Sequence, residues 1–250
     1  MTTRRTVKRA NQLIVGVIAS PADLRFAIAM RQPPDLFELR LDYLCGMADQ
    51  LERKMSILSA KGRTRRGESA PVIITARDPR EGGANNLSPA ERRDLLLRFL
   101  PYAKYIDIEL RSARAFKLLL ARARKQNVRR ILSFHNFKST PSPRSLRAKA
   151  ALAKAHGADI FKVATRTDRL AELVRLVDLV LDKNVDLAVS AMGIGKLGAI
   201  SRLLLARGGS VLNYASLHRS QIEGQLRKVS RAPIVSGLPS IEMLRSAVSH

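Results

Sequence analysis

Two residues, Lys162 and His135, are the side chains of this chain best suited to chemistry, because each stands at the end of a short apolar run. A lysine amine attacks a carbonyl carbon when a dry pocket keeps it neutral, and an imidazole can then move protons on and off the adduct. We expect Arg40, Arg77 and His135 to converge near the amine, since burial and nearby positive charge both favour its neutral form. Alone, a strand lysine is more often a rim residue whose head reaches solvent. Together, the two residues indicate imine chemistry.

Charged residues also alternate with apolar residues inside the predicted strands. Alternation places Glu38, Arg40 and Asp42 on one face of a strand, and residues 105–109 repeat the pattern with Asp107. These carboxylates could pair with inward arginines. For Asp42 and Asp107 we favour a buried structural salt-bridge network over a direct role in function.

The elements that must position these residues alternate regularly between strand and helix. Strands are predicted at about 13–20, 36–43, 71–77, 105–110, 130–135, 159–164, 185–191 and 210–216. Helices are predicted at 23–31, 48–60, 89–100, 113–126, 143–156, 169–181, 196–206 and 240–248. Such alternation implies a parallel sheet, since parallel neighbours need a crossover.

Eight strand–helix units in 250 residues favour a closed (β/α)8 (TIM) barrel. We expect a single catalytic domain over residues 13–250, preceded by a basic tail over residues 1–12. An open doubly wound sheet would be favoured by a glycine-rich loop after the first strand. Ser20 and Pro21 stand there instead.

In a (β/α)8 barrel the reactive face lies at the carboxyl ends of the strands, and the candidate residues all fall there. They are Glu38 and Arg40 on the second strand, Arg77 at the end of the third and Glu81 in its loop, His135, Lys162 and Met192 from the fifth to seventh, Arg202 on the seventh crossover, and Gln225 in the long segment after the eighth.

The composition restricts the classes of partner. Lys and Arg total 45 against 21 Asp and Glu, a net charge of +24, which favours anionic partners. The basic runs recur once per helix or loop, as solvated faces do. Aromatic residues make up 4% and tryptophan is absent, so stacking platforms for single-stranded nucleic acid are scarce. We expect nucleic acid to bind only non-specifically, if at all.

Cysteine and histidine usage bounds the chemistry further. The single cysteine, Cys45, excludes an intrachain disulfide and a Cys-rich zinc site, and it fits a reducing, cytoplasmic location. Four histidines without ligand spacing give a metal site little support. No run reaches the roughly 18–20 apolar residues that cross a bilayer, so no membrane association is expected.

Several short segments together carry a family resemblance. They are Glu-Leu-Arg-Leu-Asp at 38–42, residues 75–77 with 81–83, Ser-Phe-His at 133–135, Phe-Lys-Val-Ala at 161–164, residues 192–193 with 201–202, and 224–225. Each is weak alone, but the ordered set is specific. The chain resembles a type I 3-dehydroquinate dehydratase.

That resemblance implies a cofactor-free Schiff-base lyase that dehydrates 3-dehydroquinate, a small anion, to 3-dehydroshikimate in the shikimate pathway of aromatic amino acid biosynthesis. Lys162 would form the imine, His135 would remove the α-proton and help expel water, and Glu81 would assist His135 or close the site. Arg202 would hold the substrate carboxylate. The other implied binding residues are Glu38, Arg40, Arg77, Met192, Tyr214, Ser220, Gln221 and Gln225. A homodimer without a metal is implied as well.

The chain departs from the family pattern in two places. Asn136 follows the histidine where the family often has aspartate, and the lid reads Gln-Ile-Glu-Gly-Gln at 221–225 instead of Ser-Ala-Pro-Gly-Gln. Gln221 therefore replaces a substrate-contacting serine, unless Ser220 takes its role. Glu223, which replaces the proline, adds a negative charge beside a site for an anion.

Two alternatives stay open. Another imine-forming barrel enzyme, such as an aldolase or transaldolase, would be favoured by a phosphate-binding loop near the last two strands. A basic nucleic-acid-binding protein on a retired enzyme scaffold is suggested by the net charge alone.

Overall fold

The computed structural model describes residues 12–61, 71–217 and 238–248, and its centre is an eight-stranded parallel sheet. The strands are β1 (Leu13–Ile18), β2 (Leu36–Arg40), β3 (Val72–Thr75), β4 (Tyr105–Glu109), β5 (Arg129–Asn136), β6 (Ile160–Arg166), β7 (Ala188–Ile194) and β8 (Leu212–Ala215). Neighbours follow chain order from β1 to β7, and β8 pairs with β1.

The sheet nearly closes on itself between β7 and β8. The Val211 amide donates to the Val189 carbonyl at 3.0 Å, and the Ser190 hydroxyl donates to the Leu212 carbonyl at 2.7 Å. This confirms the predicted (β/α)8 barrel. The division into a tail over residues 1–12 and one catalytic domain stays a prediction, because residues 1–11 and several later stretches lie outside the described part.

Helices cover the outside of the barrel in the described ranges. They are α1 (Pro21–Ala29), α2 (Leu41–Leu44), α3 (Ala48–Lys61), α4 (Pro89–Phe99), α5 (Lys117–Lys125), α6 (Pro143–Ala155), α7 (Leu170–Leu181), α8 (Gly198–Gly208) and α9 (Ile241–Val248). Each of Ser20, Ser88 and Ser142 precedes a proline, and its hydroxyl accepts a hydrogen bond from an amide of the first helical turn.

Several helix boundaries differ from the prediction, most by one or two residues, as at α8, which spans Gly198–Gly208 and not 196–206. The first helix begins at Pro21 and not at residue 23, because the Ser20 cap starts it earlier. The segment predicted as one helix over 113–126 is helical only over Lys117–Lys125; a 3₁₀ turn over Leu110–Ser112 and further turns precede it.

Buried apolar residues form two layers, one inside the barrel and one between the strands and the surrounding helices. Phe37 and Leu39 point outward from β2 into the layer shared with the helices, whereas Ile73 and Ile131 point inward and help to fill the lower interior. The inward positions nearer the carboxyl ends of the strands carry charged side chains. The predicted alternation is confirmed for Glu38 and Arg40 of β2, and it places these charges at the reactive end of the barrel. Asp42, predicted on the same strand, lies instead on α2, because β2 ends at Arg40 and the chain turns into a helix there.

Candidate active site

A cavity of about 330 Å³ opens at the carboxyl ends of the strands, a size suited to a small ligand. Most of the residues singled out from the sequence line it together. They are Glu38, Arg40, Arg77, His135, Lys162, Met192, Arg202 and Tyr214; Ser20, Asp23, Tyr43 and Phe137 also line it and were not predicted.

Lys162 projects from β6 into this cavity and is buried, with 3% of its surface exposed. Its Nζ donates to Asp107 Oδ2 at 2.9 Å and to Glu38 Oε1 at 3.2 Å, and it lies 4.0 Å from the centroid of the Tyr214 ring. The sequence predicted arginines around this amine. Arg77 does line the same cavity, but the direct partners of the amine are carboxylates.

Arg77 forms the layer behind Asp107. Its Nη1 and Nη2 donate to the two Asp107 oxygens at 3.1 and 2.8 Å, and Nη1 also donates to Glu109 at 3.0 Å and to the Ser133 hydroxyl at 2.5 Å. Burial alone would raise the pKa of Asp107, but the charges of Arg77 and Lys162 hold it well below its usual range. Arg77 therefore fixes an ionised carboxylate beneath the amine.

The predicted structural role holds for Asp42, while Asp107 also contacts the candidate nucleophile. Arg40 donates to the two Asp42 oxygens at 3.0 and 2.8 Å, and its guanidinium lies 4.9 Å from the Tyr43 ring centroid. Asp42 also accepts from the Ala84 amide at 3.0 Å, which ties the loop after β3 to the end of β2.

His135 and Glu81 form a buried pair beside the cavity. His135 Nδ1 lies 3.0 Å from Glu81 Oε2, and the His135 amide donates to the same oxygen at 2.9 Å. Burial raises the pKa of Glu81 to about 7. Burial, together with the charges of Arg77 and Lys162, holds the pKa of His135 well below its usual range. A neutral imidazole whose Nδ1–H donates to Glu81 leaves Nε2 as a proton acceptor.

The turn that carries Glu81 needs glycine after it. Gly82 has a φ of 85°, in the left-handed region, and a Cβ on Gly83 would lie 2.1 Å from the Arg77 carbonyl oxygen. Asp78 caps the 3₁₀ turn over Pro79–Glu81 by accepting from the Arg80 amide at 2.8 Å. The Glu-Gly-Gly segment is therefore explained by backbone geometry.

Arg202 reaches the cavity from α8, where burial lowers its pKa to about 10 and it stays cationic at neutral pH. The preceding residue, Ser201, holds the start of this helix against β7. Its hydroxyl accepts from the Gly193 amide at 3.0 Å and donates to the Gly198 carbonyl at 2.7 Å. A buried cation in the cavity wall suits an anionic ligand group.

Of the two departures from the family pattern, the described residues include Asn136 and not the lid. Asn136 Oδ1 accepts from the amides of Lys138 and Ser139 at 2.9 and 3.4 Å, a role that an aspartate oxygen would also fill. Asn136 therefore keeps the turn after β5. The lid residues Ser220, Gln221, Glu223 and Gln225 lie outside the described residues.

Comparison with known proteins agrees with this geometry. A family model described as type I 3-dehydroquinase matches residues 19–231. The chain belongs to the type I 3-dehydroquinase family. It is 31% identical over 249 residues to the 3-dehydroquinate dehydratase of Aromatoleum aromaticum, covering 90% of this chain and 93% of that protein. It is 37% identical over 156 residues to the enzyme of Methanothermobacter thermautotrophicus, covering 62% and 67%.

Solved structures give the same family and a wider fold group. The 3-dehydroquinate dehydratase of Geobacillus kaustophilus HTA426 superposes with a TM-score of 0.77 at 25% identity, covering 96% of this chain and 90% of that one. A deoxyribose phosphate aldolase from Aeropyrum pernix reaches a TM-score of 0.53 at 14% identity and shares the fold alone. Within the described ranges, no helix is long and apolar enough to cross a membrane, and no His, Cys, Asp and Glu cluster could hold a metal ion.

The Glu81–His135 pair predicts how dehydratase activity depends on pH. Because Glu81 has a pKa of about 7 and its ionised form is the stronger acceptor for the imidazole N–H, we expect the rate to rise as pH increases through about 7. Glu81→Gln should lower the rate and remove that rise, since an amide does not titrate. Initial rates across this pH range would show it. The exposed Asp94→Asn on α4 is the control, and a rise that persists in Glu81→Gln would assign the titration to another group.

Proposed function

We propose that this chain dehydrates 3-dehydroquinate to 3-dehydroshikimate through a Schiff base on Lys162. The observation that carries the proposal is the buried Lys162 amine, held 2.9 Å from Asp107 in a cavity that it shares with His135. Family membership supplies the reaction, and the placement of these side chains supports its route through an imine.

Imine formation needs an acceptor for the ammonium proton and a path for water to leave. Asp107 and Glu38 both accept hydrogen bonds from the amine. Because the low pKa of Asp107 keeps that carboxylate ionised, Glu38 is the better candidate to take the proton. The neutral nitrogen then attacks the ketone carbon of the substrate. The carbonyl oxygen leaves as water after protonation, and a protonated C=N bond joins Lys162 to the substrate.

Elimination then uses the imine as an electron sink. Nε2 of His135 removes the proton from the carbon beside the imine, and the electron pair of that C–H bond moves into an enamine. The enamine expels the substrate hydroxyl, which takes a proton from His135 and leaves as water. Hydrolysis of the product imine restores Lys162 and the carbonyl. This sequence uses no metal or organic cofactor.

Substrate recognition follows from the charges in the cavity wall. The Arg202 guanidinium is placed to bind the substrate carboxylate, while Glu38 and Arg40 offer polar groups to hydroxyls. Met192 and Tyr214 supply apolar surface on neighbouring walls. Arg77 also lines the cavity, yet its terminal nitrogens are engaged by protein groups. Contacts from Ser220, Gln221 and Gln225 stay predictions from the family resemblance, and a cytoplasmic location stays a prediction from the single cysteine.

Trapping with borohydride tests the route. Mixed with 3-dehydroquinate, the protein should generate the ultraviolet absorbance of a conjugated enone, and borohydride should inactivate it by reducing the imine. Peptide mass spectrometry should place the adduct on Lys162. Lys162→Ala should abolish trapping, whereas His135→Ala should slow dehydration and still allow an imine. The exposed Lys196→Ala is the control; an adduct mapped to Lys196 or Lys154 would contradict the assignment.

We also propose that the chain forms a homodimer through the outer face of α7 and α8. Five large apolar side chains on this face are about half exposed or more, and they are Leu170, Val174, Leu181, Ile200 and Leu204. The chain carries a net charge of +24, which repels a second copy unless the contact itself is apolar. On this face, exposed Asp178 and Arg207 would meet across a two-fold axis, since the same patch is presented by both subunits.

Charge insertion tests the dimer face. Val174→Asp should shift the protein from dimer to monomer in sedimentation velocity, because it buries two introduced carboxylates in the apolar contact, where Arg207 is already paired with Asp178. Leu118→Asp on α5 is the matched control, since Leu118 is 85% exposed outside the face. A monomeric unsubstituted protein, or an equal effect of both variants, would contradict the proposal.

A further inference from the structure

Arg92, on α4, is buried outside the cavity wall and is 1% exposed. The three nitrogens of its guanidinium have three different acceptors. Nε donates to the Ala76 carbonyl at 2.8 Å, Nη1 donates to Asp78 Oδ2 at 3.2 Å, and Nη2 donates to the Glu109 carboxylate. The guanidinium also lies 5.2 Å from the centroid of the Phe116 ring. Only the planar fork of arginine can make these bonds together.

One arm of this arrangement is a series of hydrogen bonds that links Arg92 to the pair formed by Glu81 and His135. Asp78, which Arg92 contacts, caps the turn over Pro79–Glu81, and its carbonyl accepts from the Glu81 amide at 2.8 Å. The Glu81 carboxylate in turn holds both the ring and the amide of His135. A shift of Asp78 would therefore move the group that orients the imidazole.

The second arm runs from Arg92 to the amine. Glu109 accepts from Arg92 and, at 3.0 Å, from Arg77. Arg77 donates to the Asp107 carboxylate, which also accepts a hydrogen bond from the Lys162 amine. These charges are all buried, and removal of one member leaves its partner uncompensated, so the partner must move or be neutralised.

We infer that Arg92 is a positioning residue that sets His135 and Lys162 in relation to each other although it touches neither. The two arms meet at its guanidinium, which joins the turn after β3 to the carboxyl end of β4. The inference rests on the proposed function, since the pair being positioned is the pair of that mechanism.

Conservative replacement on the same helix tests this inference. Arg92→Lys keeps one charge but cannot hold Ala76, Asp78 and Glu109 together. We expect kcat to fall about ten- to a hundredfold, as when reacting groups are misplaced by about 1 Å, with KM changed less than about threefold. Arg98 lies on the same helix, α4, is exposed, and pairs with Asp49 and Glu52 of α3. Arg98→Lys is therefore the matched control and should keep wild-type kinetics.

Titration of His135 by NMR gives a second readout, the pKa of its imidazole. A merely structural role of Arg92 would not shift this pKa, and the measurement needs no substrate. The charged groups acting on His135 are Arg77, Lys162, Asp107 and Arg40, in addition to its partner Glu81. Burial depresses the pKa of His135, so loosening of the Glu81 turn in Arg92→Lys should raise that pKa toward its ordinary value. The His135 signal is assigned by its loss in His135→Gln.

A double-mutant cycle separates action through Glu109 from general destabilisation. If Arg92 acts through Glu109, the loss of kcat from Arg92→Gln should be smaller in a Glu109→Gln background than in the unsubstituted protein. Should Arg92→Gln fail to fold, Arg92→Lys decides alone. A folded Arg92→Lys protein with wild-type kcat and an unchanged His135 titration would overturn the inference. An unsubstituted protein without dehydratase activity would instead overturn the proposed function, and the His135 titration would still decide for Arg92.

Discussion

The interaction on which the site depends is the buried contact between the Lys162 amine and the Asp107 carboxylate. A lone ammonium at this depth would be strongly disfavoured, and a lone carboxylate equally so. Arg77 balances Asp107 from the other side, so charge alternates inward from the cavity. The amine is thereby held at the cavity wall with an acceptor for its proton in direct contact.

The barrel makes this arrangement possible because it brings distant strands to one interior. Lys162 lies on β6, Asp107 on β4 and Glu38 on β2, and all three point inward at similar heights. Ser133, on the intervening β5, sits beside Lys162 in the register and donates to Asp107 at 2.6 Å. Inward apolar residues such as Ile73 and Ile131 fill the interior below these groups.

Much of the fold and the cavity wall could be predicted from the sequence, because both depend on local pattern. Strand–helix alternation predicted the barrel, and charged residues at strand ends predicted that Lys162 and His135 would share one cavity. The partners of those residues could not be predicted in the same way. Arg92 and Glu109 are 17 positions apart, and Arg77 and Ser133 are 56 apart. Such pairings depend on strand register and on the length of each side chain, which the periodicity of the sequence does not specify. The Lys162 amine therefore contacts carboxylates where arginines were expected.

The most direct test of this interaction is the rate of imine formation in Asp107→Asn, measured in a single turnover by rapid quenching into borohydride. Asparagine keeps the size of the side chain but removes the charge that faces Lys162 and Arg77. We expect the folded variant to bind 3-dehydroquinate nearly as well as the unsubstituted protein and to form the trapped adduct about a hundredfold more slowly. Adduct formation at the unsubstituted rate would contradict the role given to the buried ion pair.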